Sequence, residues 1–179
     1  MATVDAVLDA PIDAVVSVLS DPRTYDGVVL GSRRVRWFDA AWPAPRSRFH
    51  HTVGFGPVTI RDHTEVIRDD LPGRLELATG IRPLGVLRAV FRLTEEQEGT
   101  RVEMTEEPLS GPVARIWSWP LEALTRVRNR ATLRRLGDLA RVRAQVRTLD
   151  GGASGSRHGG RGPSFGAGAH AVCRPGPPA

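Results

Sequence analysis

The hydrophobic period of the chain changes once, at Ser110-Gly111-Pro112, and that change limits the folds open to it. Upstream, after an irregular stretch around Tyr25–Leu30, most residues to Glu107 alternate apolar and polar in runs of roughly six to twelve, the period of half-buried strands. Turn-forming phrases divide the runs: Trp42-Pro43-Ala44-Pro45, Gly54-Phe55-Gly56-Pro57, Leu71-Pro72-Gly73, Ile81-Arg82-Pro83 and Glu98-Gly99. Turns this closely spaced make an antiparallel meander, because parallel strands need much longer crossovers. Downstream, Pro120 opens a helical period that runs to about Leu149. At 1.5 Å per residue this helix is predicted to be roughly 43 Å long, with no rival elsewhere in the chain.

The chain begins with its own alternation, Val4, Ala6 and Leu8 against Thr3, Asp5 and Asp9, which predicts one more strand. Pro11 then opens a helix whose apolar residues Ile12, Val15, Val16 and Leu19 share a face, and Asp21-Pro22 stops it. In the long helix, steps of 100° gather Leu121, Leu124, Ala131, Leu136, Leu139 and Val142 on a broad face, with Arg126, Arg130, Arg134 and Arg141 opposite. Gly137 inside that pattern costs about 1 kcal/mol relative to alanine unless something packs closely on it.

Composition removes several chemistries and sets a boundary. All 25 basic residues are arginine, so Schiff-base catalysis, pyridoxal phosphate attachment and a P-loop lysine are excluded. The single cysteine, Cys173, excludes an internal disulfide and a cysteine-rich zinc site. From Asp150 onward nine of 30 residues are glycine and four are proline, which predicts a disordered Gly/Pro-rich tail over 150–179 beside one folded domain over 1–149. The tail's His158, His170 and Cys173 share no recognised ligand spacing, so neither a metal nor another cofactor is expected. No stretch approaches the roughly 20 apolar residues that span a bilayer, and the N-terminus lacks a basic start, so a cytoplasmic location is expected.

Charge is unevenly spread. Residues 1–110 hold 13 arginines against 17 acids, whereas residues 111–149 hold nine arginines against only Glu122 and Asp138. A helix so lined either faces nucleic acid, ribosome or an anionic membrane, or is the solvated side of an amphipathic helix.

The order strand, helix, six-stranded meander, long C-terminal helix resembles the START-like (SRPBCC) superfamily. Several phrases are similar to its polyketide cyclase/dehydrase branch: Ala10-Pro11-Ile12-Asp13-Ala14-Val15, Ser47-Arg48-Phe49-His50-His51, Gly56-Pro57-Val58-Thr59-Ile60, Asp62-His63-Thr64-Glu65-Val66 and Arg128-Asn129-Arg130. The resemblance covers about residues 2–147. It implies an α+β helix-grip fold, a curved antiparallel seven-stranded β-sheet wrapped around the long C-terminal α-helix with a hydrophobic cavity between them. It does not imply one reaction, since the superfamily shares a cavity rather than a chemistry.

Alternation then assigns inward faces. The candidate ligand-binding residues are Phe49, His51, Ile60, Asp62, Thr64 and Leu77, with Phe91, Met104 and Glu106 from later strands and Leu124 and Arg128 from the helix. His51, Asp62 and Glu106 are ionisable residues in otherwise apolar rows and are the catalytic candidates. Two readings of them stay open. In one, His51 and a carboxylate act as acid and base on a bound carbonyl compound, with Arg128 or Asn129 steadying an enolate oxygen. In the other, Arg128 neutralises Asp62 or Glu106, and His51 hydrogen-bonds to a neighbouring strand. Trp37 alternates with Val35, which predicts ordinary packing, while Trp117 and Trp119 stand where they would either close a cavity mouth or, as an exposed pair beside arginines, touch a membrane or ligand. The expected function is binding of a hydrophobic polyketide, lipid or isoprenoid, with cyclase or dehydrase activity open. The alternative is an interaction module docking through the arginine face of the last helix.

Overall fold

A computed structural model describes residues 1–29, 32–55 and 58–154. The sequence period becomes β1 (Ala2–Leu8), α1 (Ile12–Leu19), α2 (Tyr25–Val28), β2 (Ser32–Phe38), β3 (Arg48–Phe55), β4 (Val58–Asp70), β5 (Arg74–Gly80), β6 (Val86–Glu96), β7 (Gly99–Ser110), α3 (Val113–Ile116) and α4 (Trp119–Ser154). The strands form one antiparallel sheet in the order β1-β7-β6-β5-β4-β3-β2, so β1 closes against the last strand and β1 and β2 are the edges. The long helix α4 packs against β1, β7, α1 and α2. This is the α+β helix-grip arrangement.

Alternation places the core as predicted. Phe49, Val66, Leu75, Leu77, Phe91, Leu93, Val102 and Met104 are buried on the helix-facing side of the sheet, against Leu133, Leu136 and Ala140 of α4. Each such side chain contributes about 1.5 to 3 kcal/mol through burial. Where α4 crosses β1, a Cβ on Gly137 would stand 3.2 Å from Leu8 Cδ2, so the glycine is there for the close approach. At the β6–β7 turn Gly99 has φ +136°, and a Cβ would strike the Leu8 carbonyl oxygen at 2.1 Å.

An aromatic cluster ties the first helix to the sheet. Tyr25, Trp42 and Phe49 have ring centroids 4.8 to 5.7 Å apart. Tyr25 Oη and Trp42 Nε1 both donate to the Leu19 carbonyl, at 3.0 and 3.3 Å. That carbonyl lies at the C-terminus of α1, where helical acceptors have no partner within the helix. Burial pushes the Tyr25 phenol far above its usual range, so it stays a donor.

The uneven charge is resolved largely within the chain. Arg141, Arg143 and Arg147 of α4 pair with Asp9, Asp21 and Asp13 at 3.3, 2.7 and 2.5 Å. Arg126 meets Glu122, Arg135 donates to the Gly27 carbonyl, and Arg128 pairs with Glu106. Six of the nine arginines in 111–149 are therefore committed to partners, and the helix presents no unbroken arginine stripe.

Several expectations need correction. The helix does not stop at Leu149: it starts at Trp119 and continues to Ser154, across the expected domain boundary. The remainder of the expected tail, with His158, His170 and Cys173, lies outside the described residues. The buried arc of α4 contains Thr125, Asn129, Thr132, Leu133, Leu136 and Ala140, while Leu124 is 66% exposed and Val142 53% exposed. Both lie about 120° around the helix from Leu136, and three polar members of the true arc carried no apolar signal. In α1 the buried set is Ala14, Val15, Val18 and Leu19, rotated toward α4 and leaving Ile12 and Val16 half-buried. Trp37 is 55% exposed. Arg36 is an extra residue in β2, so Val35 pairs with the inward His51 but Trp37 pairs with the outward His50. A bulge of this kind reverses alternation.

Candidate functional site

The space between the sheet and the first half of α4 contains a cavity of about 70 Å³. Its walls are Phe49 and His51 of β3, Thr64 of β4, Leu77 and Thr79 of β5, Leu87, Ala89 and Phe91 of β6, Met104 and Glu106 of β7, and Arg128 of α4. Tyr25, Val29 and Ile81 complete it. Ligand pockets usually enclose roughly 300 Å³ or more, so the interior is far fuller than the expected hollow. Phe49, Phe91 and Met104 are almost wholly buried and occupy much of the room between the layers.

Eight of the eleven residues proposed from sequence meet at this cavity: Phe49, His51, Thr64, Leu77, Phe91, Met104, Glu106 and Arg128. Ile60, Asp62 and Leu124 do not line it. Ile60 is half-buried beyond one end, and Leu124 faces outward. Thr79, Leu87 and Ala89 were legible as inward residues but not as contacts. Tyr25 and Val29 carried no signal at all, because the segment around them follows no regular period. Trp117 donates from Nε1 to Glu122 at 3.1 Å and Trp119 is 81% exposed, and neither lines the cavity.

Polar groups enter the cavity on two walls. On the first, Thr64 and Thr79 are cross-strand partners, with their hydroxyls 3.2 Å apart. His51 Nε2 lies 3.5 Å from Thr64 Oγ1. Burial pulls the His51 imidazole down to about 4, although Asp62 and a hydrogen bond with the His63 backbone act against it. At neutral pH it is therefore uncharged, with one ring nitrogen available as an acceptor.

On the second wall, Glu106 is buried and its Oε2 accepts from Arg128 Nη2. The same Nη2 donates to Asn129 Oδ1 at 3.3 Å. Arg128 Nε, Asn129 Nδ2 and Thr132 Oγ1 are buried without a hydrogen-bond partner. Buried polar groups in proteins are nearly always satisfied, and of these three residues Arg128 is the one that lines the cavity.

Asp62 is committed elsewhere. Its carboxylate occupies the place a side chain would take at Gly80 on the neighbouring strand, where a Cβ would lie 2.0 Å from Oδ1. It accepts from the backbone N–H groups of His63 and Arg82 at 2.9 and 2.8 Å, and the Arg82 guanidinium is 3.5 Å away. Burial pushes its acidity up, but these donors outweigh that and hold the carboxyl below its ordinary value. Asp62 thus fastens the end of β5 to β4 and presents no free oxygen pair to a guest.

Among the described residues no group of three or more His, Cys, Asp or Glu side chains could hold a metal ion, and no helix is long and apolar enough to cross a membrane. No protein-family model matches the chain, and no curated protein matches it. Solved structures do. A structural-genomics protein from Nitrosomonas europaea is 16% identical with a TM-score of 0.62, over 82% of this chain and 95% of that one. A protein from Mycobacterium smegmatis is 19% identical with a TM-score of 0.59, over 76% of this chain and 88% of that one. The di-domain ARO/CYC StfQ from the steffimycin biosynthetic pathway is 12% identical with a TM-score of 0.60, over 82% of this chain and 51% of that one. At these identities the likeness concerns architecture: the chain shares the seven-stranded sheet and long C-terminal helix of these proteins.

Proposed function

We propose that this chain is a START-like protein that binds a small hydrophobic molecule carrying a polar oxygen, of polyketide, lipid or isoprenoid class, between the sheet and α4. The observation that carries the reading is the buried Arg128 Nε, which has no partner beside an otherwise mainly apolar cavity. A carbonyl or hydroxyl oxygen placed there would satisfy it, and the hydroxyls of Thr64 and Thr79 offer a second polar contact on the opposite wall. The fold shared with an aromatase/cyclase is consistent with this use of the interior.

The volume sets a condition. A guest larger than about 70 Å³ enters only if lining side chains move. Met104 is unbranched and adaptable, and the Arg128 side chain, 28% exposed, reaches solvent.

Binding is favoured over catalysis by the state of the ionisable groups. Asp62 is held by backbone donors, Glu106 is neutralised by Arg128, and a histidine near 4 is a poor base at neutral pH, where the effective value lies near 7. Cyclase or dehydrase chemistry would fall to His51, with Arg128 stabilising an enolate oxygen.

Native mass spectrometry of the chain purified from its own host tests the proposal. A co-purifying hydrophobic small molecule, lost or weakened in Arg128→Gln, is the expected result. Apoprotein alone, together with no thermal stabilisation by a panel of polyketides, fatty acids and isoprenoids, overturns it.

A further inference from the structure

Unpaired positive charge and exposed rings coincide on the outer side of the sheet, away from the cavity. In register across β2, β3 and β4, Trp37 pairs with His50 and His50 with His63. Their rings are in contact, with centroids 5.4 Å apart for Trp37 and His50 and 5.8 Å for His50 and His63. The adjacent row on the same side is Arg34, Thr52 and Arg61. Arg36, the extra residue of β2, lies between the two rows.

Arg34, Arg36 and Arg61 are exposed and form no ion pair or hydrogen bond with any described residue. Elsewhere on this side of the sheet the guanidinium groups are committed. Arg88 holds Glu76 and Glu107, Arg92 holds Glu103, and Arg101 holds Asp5 and Glu96. Of the acids below the ring row, Glu65 is paired with the Arg48 guanidinium at 2.5 Å, whereas Asp39 accepts from the Arg48 backbone N–H at 2.7 Å and keeps its charge. The patch is therefore a row of tilted rings, exposed at Trp37 and half-buried at His50 and His63, beside three arginines that form no ion pair with a described residue.

We propose that the outer face of β2, β3 and β4 binds single-stranded nucleic acid, with bases stacking on the Trp37, His50 and His63 row and phosphates meeting Arg34, Arg36 and Arg61. Stacking needs an exposed ring face, and every base supplies a matching one. Rows on one side of a strand repeat at about 6.8 Å, close to the rise of one extended nucleotide. A base on the ring row thus brings its phosphate to the arginine row. A lipid surface fits less well, because the exposed aliphatic side chains Ile67 and Leu109 share a depression with His63 and not with Trp37, Arg34, Arg36 or Arg61, so a bilayer would not meet rings, cations and aliphatic groups together. This surface is independent of the interior cavity, so failure of either reading leaves the other standing.

Fluorescence anisotropy of the full chain with a labelled single-stranded RNA of about twelve nucleotides tests the proposal, at about 50 and about 200 mM salt. The wild type is expected to bind, more tightly than it binds a duplex of equal length. Trp37→Ala should weaken binding about tenfold or more. Arg34→Gln with Arg61→Gln should reduce the salt slope by about 1.4, and keeps the test valid if Trp37→Ala fails to fold by circular dichroism. Arg130→Gln with Arg134→Gln, arginines of α4 without a partner among the described residues, should leave affinity unchanged. No binding at the lower salt, binding unaltered by the sheet substitutions, loss with the α4 pair, or full displacement by an equal concentration of mononucleotide would each overturn the assignment.

Discussion

Replacing Arg128 by leucine leaves Glu106 in the interior without its cation. The Glu106 side chain is 5% exposed and the pair is direct. Removing one partner of a buried pair costs about 3 to 5 kcal/mol, because the remaining charge loses compensation it cannot regain from water. Arg128 itself is 28% exposed, so some solvent reaches the site and the lower end applies, about 3 kcal/mol. For a folded region of this size that corresponds to a fall in melting temperature of about 9 °C. A double variant separates loss of charge pairing from loss of packing. In Arg128→Leu with Glu106→Leu most of the deficit should disappear, since no charge remains. Urea denaturation at neutral pH reads the effect. A deficit under about 1 kcal/mol, or one that the second substitution leaves intact, refutes the reasoning.

Two other perturbations follow from the geometry. His51 has a folded value near 4 against an ordinary 6.5. The unfolded chain thus takes up a proton first as pH falls, and stability present above 6.5 should decline by about 3 kcal/mol by pH 4. His51→Gln should flatten that slope in urea titrations, and a slope unchanged by the substitution counts against a buried neutral imidazole. Gly80→Ala places a Cβ on the anchored Asp62 carboxylate and should cost about 2 to 4 kcal/mol. Thermal melting of Gly80→Ala with Asp62→Ala should recover part of this loss, and a Gly80→Ala protein as stable as wild type would show that Asp62 is not held there.

The strand count, the turns other than Gly54-Phe55-Gly56-Pro57, whose last two residues lie outside the described ones, and the inward row from Phe49 to Glu106 were legible because a pleated strand with one buried side writes its orientation as simple alternation. Trp37 was misread because an inserted residue leaves no mark on composition and changes only parity. The arc of α4 was misplaced because Thr125, Asn129 and Thr132 are interior yet polar, so apolar positions such as Leu124 drew the expected face away from them. Asp62 was assigned to the right side of its strand, but its capture depends on Gly80 and the Arg82 N–H, some twenty residues away in sequence. Cavity size was the least legible quantity, since it depends on how Phe49, Phe91 and Met104 divide a shared volume rather than on which residues point inward.

The inserted arginine of β2 uncouples the spacing of side chains in the sequence from the side of the sheet on which they stand. Deleting Arg36 would remove the bulge yet leave Val35 and Phe38 inward and Trp37 outward, opposite the same partners, because Val35 and Trp37 would then be adjacent residues of opposite parity. Keeping Arg36 in a strand without the bulge is what would turn the indole toward the core and send Phe38 to solvent, so the kink, and not the number of residues, keeps the ring on display.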